Sequence, residues 1–219
     1  MNNSLRGLYV ITDRQLHKAR NMPLQDMVAQ AIAGGARIVQ YRDKDSGCEQ
    51  RLREATALAA LCHRHGVIFL INDDVELALA VNADGVHLGQ GDAPLPLARE
   101  KLGPARIIGV TCHSDIARAR HAQEHGADYV AFGRFFPSQS KPAAPPCSLD
   151  ILQQARAQLH IPIAAIGGVT PANGKQLIEH GADMLAVIHA VFGATDIRDA
   201  AAHFTQLFAQ YSPPAANLV

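Results

Sequence analysis

Eight short, β-branched apolar runs recur along the chain, at Leu8–Ile11, Arg37–Tyr41, Val67–Ile71, Val86–Leu88, Arg106–Val110, Tyr129–Phe132, Pro162–Ile166 and Leu185–Ile188. The segments between them repeat apolar residues at helical spacing, as in Leu52, Ala55, Ala59 and Cys62, or Ile116, Ala119 and Gln123 with Ala122 beside them. Strand and helix therefore alternate, and the runs are mostly continuous, as in parallel strands covered on both faces. Four related tripeptides, Gly35-Ala36-Arg37, Asn82-Ala83-Asp84, Gly126-Ala127-Asp128 and Gly181-Ala182-Asp183, each precede an even-numbered run, with Ala-to-Ala separations of 47, 44 and 55. Each interval equals two βα units, with a glycine ending the preceding helix in three of the four. Eight units with a two-unit rhythm fit a closed (β/α)8 TIM barrel better than an open doubly wound sheet. A single α/β domain is expected over residues 1–211, with Ser212-Pro213-Pro214-Ala215-Ala216 opening a disordered tail over 212–219.

Composition removes several classes of function. A chain of 219 residues with 48% apolar content can bury about 70% of its unfolded surface and needs no disulfide or structural metal. Lys+Arg and Asp+Glu both number 20, and no basic cluster exceeds a pair. The electrostatic footprint of a nucleic-acid binder is therefore missing. Cys48, Cys62, Cys112 and Cys147 form no CxxC pair, so reduced thiols are expected. The first apolar run is too short for a secretory signal. The longest nearly uncharged run, Met184–Ala194, spans 11 residues, short of the ~18 that cross a bilayer. A soluble cytoplasmic protein is expected, with no membrane partner; homo-oligomerisation is left open.

In a barrel, chemistry sits at the C-terminal ends of the strands, and here those ends are unusually polar. Gln40, Arg42 and Lys44 alternate within Gln40-Tyr41-Arg42-Asp43-Lys44, so on an extended backbone they point one way. Two cations and an amide aimed at one place suit a phosphate or diphosphate; a solvated strand end is the plainer alternative. Asn72-Asp73-Asp74 closes strand 3 and His87-Leu88-Gly89-Gln90-Gly91-Asp92 closes strand 4. Asp73 and Asp92 could meet there as a Mg2+ pair, although Asp73 or Asp74 could equally cap the following helix. Thr111-Cys112-His113 ends strand 5, Pro137-Ser138-Gln139-Ser140-Lys141-Pro142 follows strand 6, Gly167-Gly168 ends strand 7 and Ile188-His189 ends strand 8. Glycines before Thr170-Pro171 suit phosphate at a helix start, and any tight turn as well. No nucleophile elbow occurs, and Cys62-His63-Arg64-His65 and Cys112-His113 lack metal-ligand spacing to a partner pair. His63, His65, His121, His125 and His180 fall in helices, the last two directly before glycine, where the helix dipole favours them. The weight lies in the coincidence of diphosphate, metal and monophosphate chemistry on six strand ends.

With these residues the chain resembles the thiamine-phosphate synthase family from Gly7 to about Phe208. The matching stretches are Tyr9-Val10-Ile11-Thr12-Asp13, Gln40-Tyr41-Arg42-Asp43-Lys44, Ile71-Asn72-Asp73-Asp74, Gly85-Val86-His87-Leu88-Gly89-Gln90-Gly91-Asp92, Phe136-Pro137-Ser138-Gln139-Ser140-Lys141 and Ala165-Ile166-Gly167-Gly168-Val169. Ser138 and Ser140 stand where the family usually has threonine and Thr111 where it has serine, keeping the hydroxyls; His189 replaces a serine and does not. The resemblance implies coupling of 4-amino-5-hydroxymethyl-2-methylpyrimidine diphosphate to a thiazole phosphate, carboxylated or not, with loss of pyrophosphate. It implies Mg2+ on Asp73 and Asp92, with Arg42, Lys44 and Lys141 on the leaving group. Gln40, Asn72 and Thr111 would orient the pyrimidine, and Ser138, Ser140, Gly168, Ile188 and His189 match the thiazole-phosphate side. Tyr41, Asp43, His87 and Gln139 lie in the matched motifs and are expected among the binding residues. Two rivals are a thiazole tautomerase of the same superfamily, which has no diphosphate to bind, and a non-catalytic ligand-binding barrel.

Overall fold

The computed structural model describes residues 5–137 and 145–213. Eight parallel strands close into a barrel in chain order: β1 (Gly7–Ile11), β2 (Ile38–Tyr41), β3 (Ile68–Asn72), β4 (Gly85–Leu88), β5 (Ile107–His113), β6 (Tyr129–Phe132), β7 (Ile163–Ile166) and β8 (Met184–Val187). β1 pairs with β8, Tyr9 opposite Ala186, which completes the closure. The helices are α1 (Arg14–Arg20), α2 (Leu24–Ala33), α3 (Cys48–Arg64), α4 (Val75–Ala80), α5 (Leu95–Leu102), α6 (Ile116–Glu124), α7 (Asp150–Gln158), α8 (Pro171–Glu179), α9 (His189–Phe192) and α10 (Ile197–Gln210). All eight expected strands form, within one residue at each end except at β5, which runs three residues past Val110 to His113.

Strand alternation splits the apolar residues into two cores. Tyr9, Ile11, Ile38, Leu70, Tyr129, Ala131, Ala164, Met184 and Ala186 fill the barrel interior. Leu8, Val10, Val39, Phe69, Ile71, Val130 and Leu185 point outward under the helices. The continuous apolar runs reflect this two-sided burial. Tyr129 fits inside because β5 carries Gly109 beside it: a Cβ there would lie 2.0 Å from the Tyr129 ring.

One helical expectation is corrected. Leu52 does not share the buried face of α3; it is 44% exposed, and the buried residues are Ala55, Leu58, Ala59, Leu61 and Cys62. Toward the site the inner face of α3 is polar: Glu54 pairs with Arg14, and Arg51 with Asp74. These pairings displace the apolar stripe there. His125 and His180 do cap helices, each with Nδ1 against the carbonyl four residues back, at 2.8 and 2.6 Å.

The tripeptide repeat has a physical basis at the N-terminal end of the barrel. Gly35, Gly126 and Gly181 have positive φ and Asn82 adopts the same left-handed turn, the conformation that ends a helix before a strand. The three following aspartates then reach back to the preceding strand. Asp84 accepts from the Phe69 N–H of β3 (2.7 Å), Asp128 from Ile108 of β5 (2.8 Å) and Asp183 from Ile163 of β7 (2.8 Å). Each also faces a basic side chain of the helix before that strand: His63 (3.5 Å), Arg99 (2.6 Å) and Arg156 (2.6 Å) respectively. The two-unit rhythm is thus a row of clasps tying a helix and two strands. At the other end of the chain, Arg6 donates to the Tyr211 carbonyl and the Ser212 hydroxyl; residues 214–219 of the expected tail lie outside the described residues.

Candidate active site

The C-terminal mouth of the barrel holds a cavity of about 340 Å³ lined by residues of all eight strands or their trailing loops. Among the expected site residues, Gln40, Arg42, Lys44, Asn72, Asp73, His87, Asp92, Thr111 and Ile188 all line it. A second space of about 220 Å³ lies between the ends of β7 and β8, bordered by Pro137, Gly167, Gly168, Thr170, Ile188 and His189. Ile166, Gly167, Ala186 and Ile188 border both, so the two spaces adjoin.

β2 delivers its three polar side chains inward, as the alternation requires. Its tip is fixed by the buried Thr12, whose hydroxyl oxygen accepts from the Arg42 N–H (2.8 Å). Tyr41 and Asp43 point the other way and line no part of the main cavity. The Tyr41 hydroxyl donates to Glu54 (2.9 Å). One Asp43 oxygen accepts from the N–H groups of Asp45 and Ser46 (2.9 and 3.0 Å), and the other lies 3.7 Å from Arg14. Hydrogen bonds from Ser46 and Asp45, with Arg14, outweigh burial and hold that carboxyl below its usual range. The side chains of Tyr41 and Asp43 thus brace the loop that carries Lys44. Parity explains it, since odd and even residues of β2 face opposite sides.

At β3 and β4 the open question about the aspartates resolves into two roles. Asp74 is the N-cap of α4, accepting from Leu77 N–H at 2.9 Å. Asp73 turns into the cavity with φ +65, meets Lys44 Nζ at 2.9 Å and lines the cavity beside Asp92. Burial and the neighbouring Asp73 push the Asp92 carboxyl up. Burial acts the same way on Asp73, but the neighbouring Asp92 and Lys44 prevail and hold it down. Two neighbouring carboxyls beside a lysine form a hard-oxygen donor pair.

Ser138, Gln139, Ser140 and Lys141 lie outside the described residues. Several residues at the cavity were not among the expected site residues: Tyr9, His113 and Arg134 line the mouth, and Tyr129 lies beneath it, hydrogen-bonded to His87. Arg134 directly follows the strand 6 glycine, a position that could have marked it. Away from the mouth, His121, Glu124 and His125 sit on the exposed surface at the end of α6, with ligand-capable atoms within 4.8 Å of one another.

The sequence from residue 8 to 191 matches the family model described as thiamine monophosphate synthase. The chain belongs to this family. It is 53% identical over 192 residues to a thiamine-phosphate synthase of Alcanivorax borkumensis, covering 88% of each chain. It is 47% identical over 221 residues to that of Nitrosococcus oceani, covering all of both. Among solved structures, the thiamine phosphate pyrophosphorylase of Pyrococcus furiosus superposes with a TM-score of 0.86 at 35% identity, covering 95% of this chain and 98% of that one. A 3-hexulose-6-phosphate synthase at 17% identity and TM-score 0.65 shares the fold alone. Membership in the thiamine monophosphate synthase family thus agrees with the barrel and the polar mouth described above.

Proposed function

We propose that this protein is a thiamine-phosphate synthase, a transferase joining 4-amino-5-hydroxymethyl-2-methylpyrimidine diphosphate to a thiazole phosphate to give thiamine phosphate and pyrophosphate. The observation that carries this reading is the convergence of Arg42, Lys44, Asp73 and Asp92 on one cavity whose side opens to the Gly167-Gly168 space. A tautomerase has no diphosphate to bind and no use for that set, and a non-catalytic barrel would tolerate its loss. No described helix is long and apolar enough to cross a membrane, and all four cysteines are free, in keeping with a cytoplasmic biosynthetic enzyme.

In the reaction the C–O bond to the diphosphate breaks and the thiazole ring nitrogen supplies its lone pair to the pyrimidine methylene carbon. That nitrogen carries no proton, so no general base is needed. The demand on the protein is to hold negative charge on the leaving group, and preorganised cations do this best in a partly water-excluded site. Arg42 offers a planar fork to two phosphate oxygens and Lys44 a mobile point charge. Asp73 and Asp92 are the residues that would hold Mg2+, which when bound would neutralise diphosphate oxygens. Gln40, Asn72 and Thr111 orient the pyrimidine, which shortens the search for a reactive geometry. Lys141, Ser138 and Ser140 are assigned to the phosphate groups by resemblance.

The direct test is to incubate purified protein with both substrates, with and without Mg2+, and measure pyrophosphate. Release that depends on the thiazole phosphate and on Mg2+ is the expected result; no release with all components present defeats the reading.

His189, where the resemblance to the family implies a serine, is exposed at the start of α9. The turn is anchored from outside: Arg20 donates to the carbonyls of Phe192 (2.9 Å), Ala194 and Thr195 (3.0 Å). Backbone N–H groups of such a turn can hold the thiazole phosphate whatever side chain starts it. His189→Ser is therefore expected to leave the thiazole-phosphate KM within about threefold. A rise of about 10-fold, the scale of one charge-assisted hydrogen bond, would show that the imidazole itself makes the contact.

A further inference from the structure

Beneath the mouth, five polar side chains from five strands form one continuous hydrogen-bond chain across the barrel. Gln40 Nε2 donates to the Tyr9 hydroxyl (2.7 Å), and the Tyr9 and Tyr129 hydroxyls lie 2.8 Å apart. The Tyr129 hydroxyl is 2.8 Å from His87 Nδ1, and His87 Nε2 is 2.8 Å from the Thr111 hydroxyl. Both tyrosines are fully buried, and burial pushes each phenol well above its usual range, so both keep their protons. Gln40, Tyr9, His87 and Thr111 also line the main cavity.

Each hydroxyl has one hydrogen and a neutral imidazole has one N–H and one lone pair, so the links cannot be oriented independently. With Gln40 donating, Tyr9 donates to Tyr129, Tyr129 donates to His87 Nδ1, and the N–H on His87 Nε2 donates to Thr111. The Gln40 carbonyl oxygen is then free to accept and the Thr111 hydroxyl free to donate. Turning the amide over reverses every link and exchanges the two ends. In either order one end donates where the other accepts; two donors or two acceptors would leave a buried group in the middle unsatisfied, which folded proteins rarely permit.

We propose that Tyr9, Tyr129 and His87 are positioning residues that couple Gln40 to Thr111, so that the cavity floor presents one acceptor and one donor to a single planar ring. An aminopyrimidine, with an exocyclic amine for Gln40 and a ring nitrogen for Thr111, has the complementary pair. Gly109 supports this as a built feature, because any side chain there would evict the Tyr129 ring from the chain. The link to an aminopyrimidine rests on the synthase reading; the chain itself does not.

The test uses ring-15N-labelled ligand-free protein, in which the His87 resonance is identified by its loss in His87→Asn. Wild type is expected to show one neutral tautomer with the proton on Nε2, and Tyr129→Phe a tautomer mixture. In turnover, Tyr129→Phe is expected to raise the KM for the pyrimidine diphosphate about 10-fold while the thiazole-phosphate KM stays within twofold. Tyr9→Phe, which cuts a different link, is expected to raise the same KM. A doubly protonated His87, or a tautomer unchanged by Tyr129→Phe, overturns the coupling. An unchanged pyrimidine KM in both variants overturns the positioning role, as does an equal rise in both substrates' KM, which is what a merely structural defect would give. Absence of wild-type turnover with an ordered tautomer would instead count against the synthase reading.

Discussion

Asp92→Asn is expected to lower kcat/KM at least 100-fold while changing the melting temperature by only a few degrees. Asp92 has two tasks that this substitution separates. One carboxylate oxygen accepts from the Gly89 N–H (2.5 Å), which shapes the β4–α5 loop, and an asparagine carbonyl can keep that bond. The charge beside Asp73 cannot be kept. Removing one electrostatic stabiliser of a transition state typically costs about 100- to 1000-fold, and the loss should be as large for Asp73→Ala. The same pair predicts a pH effect with a definite sign. Burial and Asp73 raise the Asp92 carboxyl, so as pH falls a proton occupies Asp92 before an ordinary carboxylate would titrate. Proton and Mg2+ then compete, and the Mg2+ concentration for half-maximal rate should rise toward acid pH in wild type. Near-normal turnover of both variants at millimolar Mg2+ would remove the metal from Asp73 and Asp92.

The barrel was legible because its rules act locally. Two-sided burial makes strands continuous apolar runs, and the helix-ending turns at Gly35, Asn82, Gly126 and Gly181 fall just before the even strands. The mouth was legible where parity decides direction, as for Gln40, Arg42 and Lys44. The same parity sends Tyr41 and Asp43 to the opposite face, where membership of a motif suggested contact with substrate. Nothing local separates Asp73 from Asp74; the left-handed backbone at Asp73 and the cap bond at Asp74 arise only when β3 meets α4. Tyr9 and Tyr129 were hidden for a different reason. Each sits in an apolar run of its strand and reads as core, and their meeting 120 residues apart depends on closure of the whole barrel.

Asp183→Ala is expected to be the most damaging of the three clasp substitutions, costing about 3–5 kcal/mol, the range for removing one partner of a buried ion pair. At roughly 2–4 °C per kcal/mol for a chain of this size, the melting temperature should fall by about 6–20 °C. The ranking follows from burial. Arg156 and Asp183 side chains are only 11% and 16% exposed, against 21% and 39% for Arg99 and Asp128 and 40% and 38% for His63 and Asp84. Asp84→Ala should therefore cost about 1–2 kcal/mol, mainly the Phe69 N–H left without its acceptor, and Asp128→Ala an intermediate amount. Arg156→Ala tests the electrostatics from the other side. Burial already raises the Asp183 carboxyl, with Arg156 pulling it back; without the arginine it rises further. A carboxyl whose folded pKa lies above its unfolded value favours folding below the unfolded pKa and loses that contribution as pH rises through the folded one. The deficit of Arg156→Ala relative to wild type should thus be greatest at neutral pH and shrink as the pH is lowered and Asp183 protonates. Chemical denaturation of both proteins across that range reads the difference directly. A deficit that stays constant would mean that Arg156 holds the clasp by packing and its bond to the Gly181 carbonyl (2.6 Å), with charge contributing little.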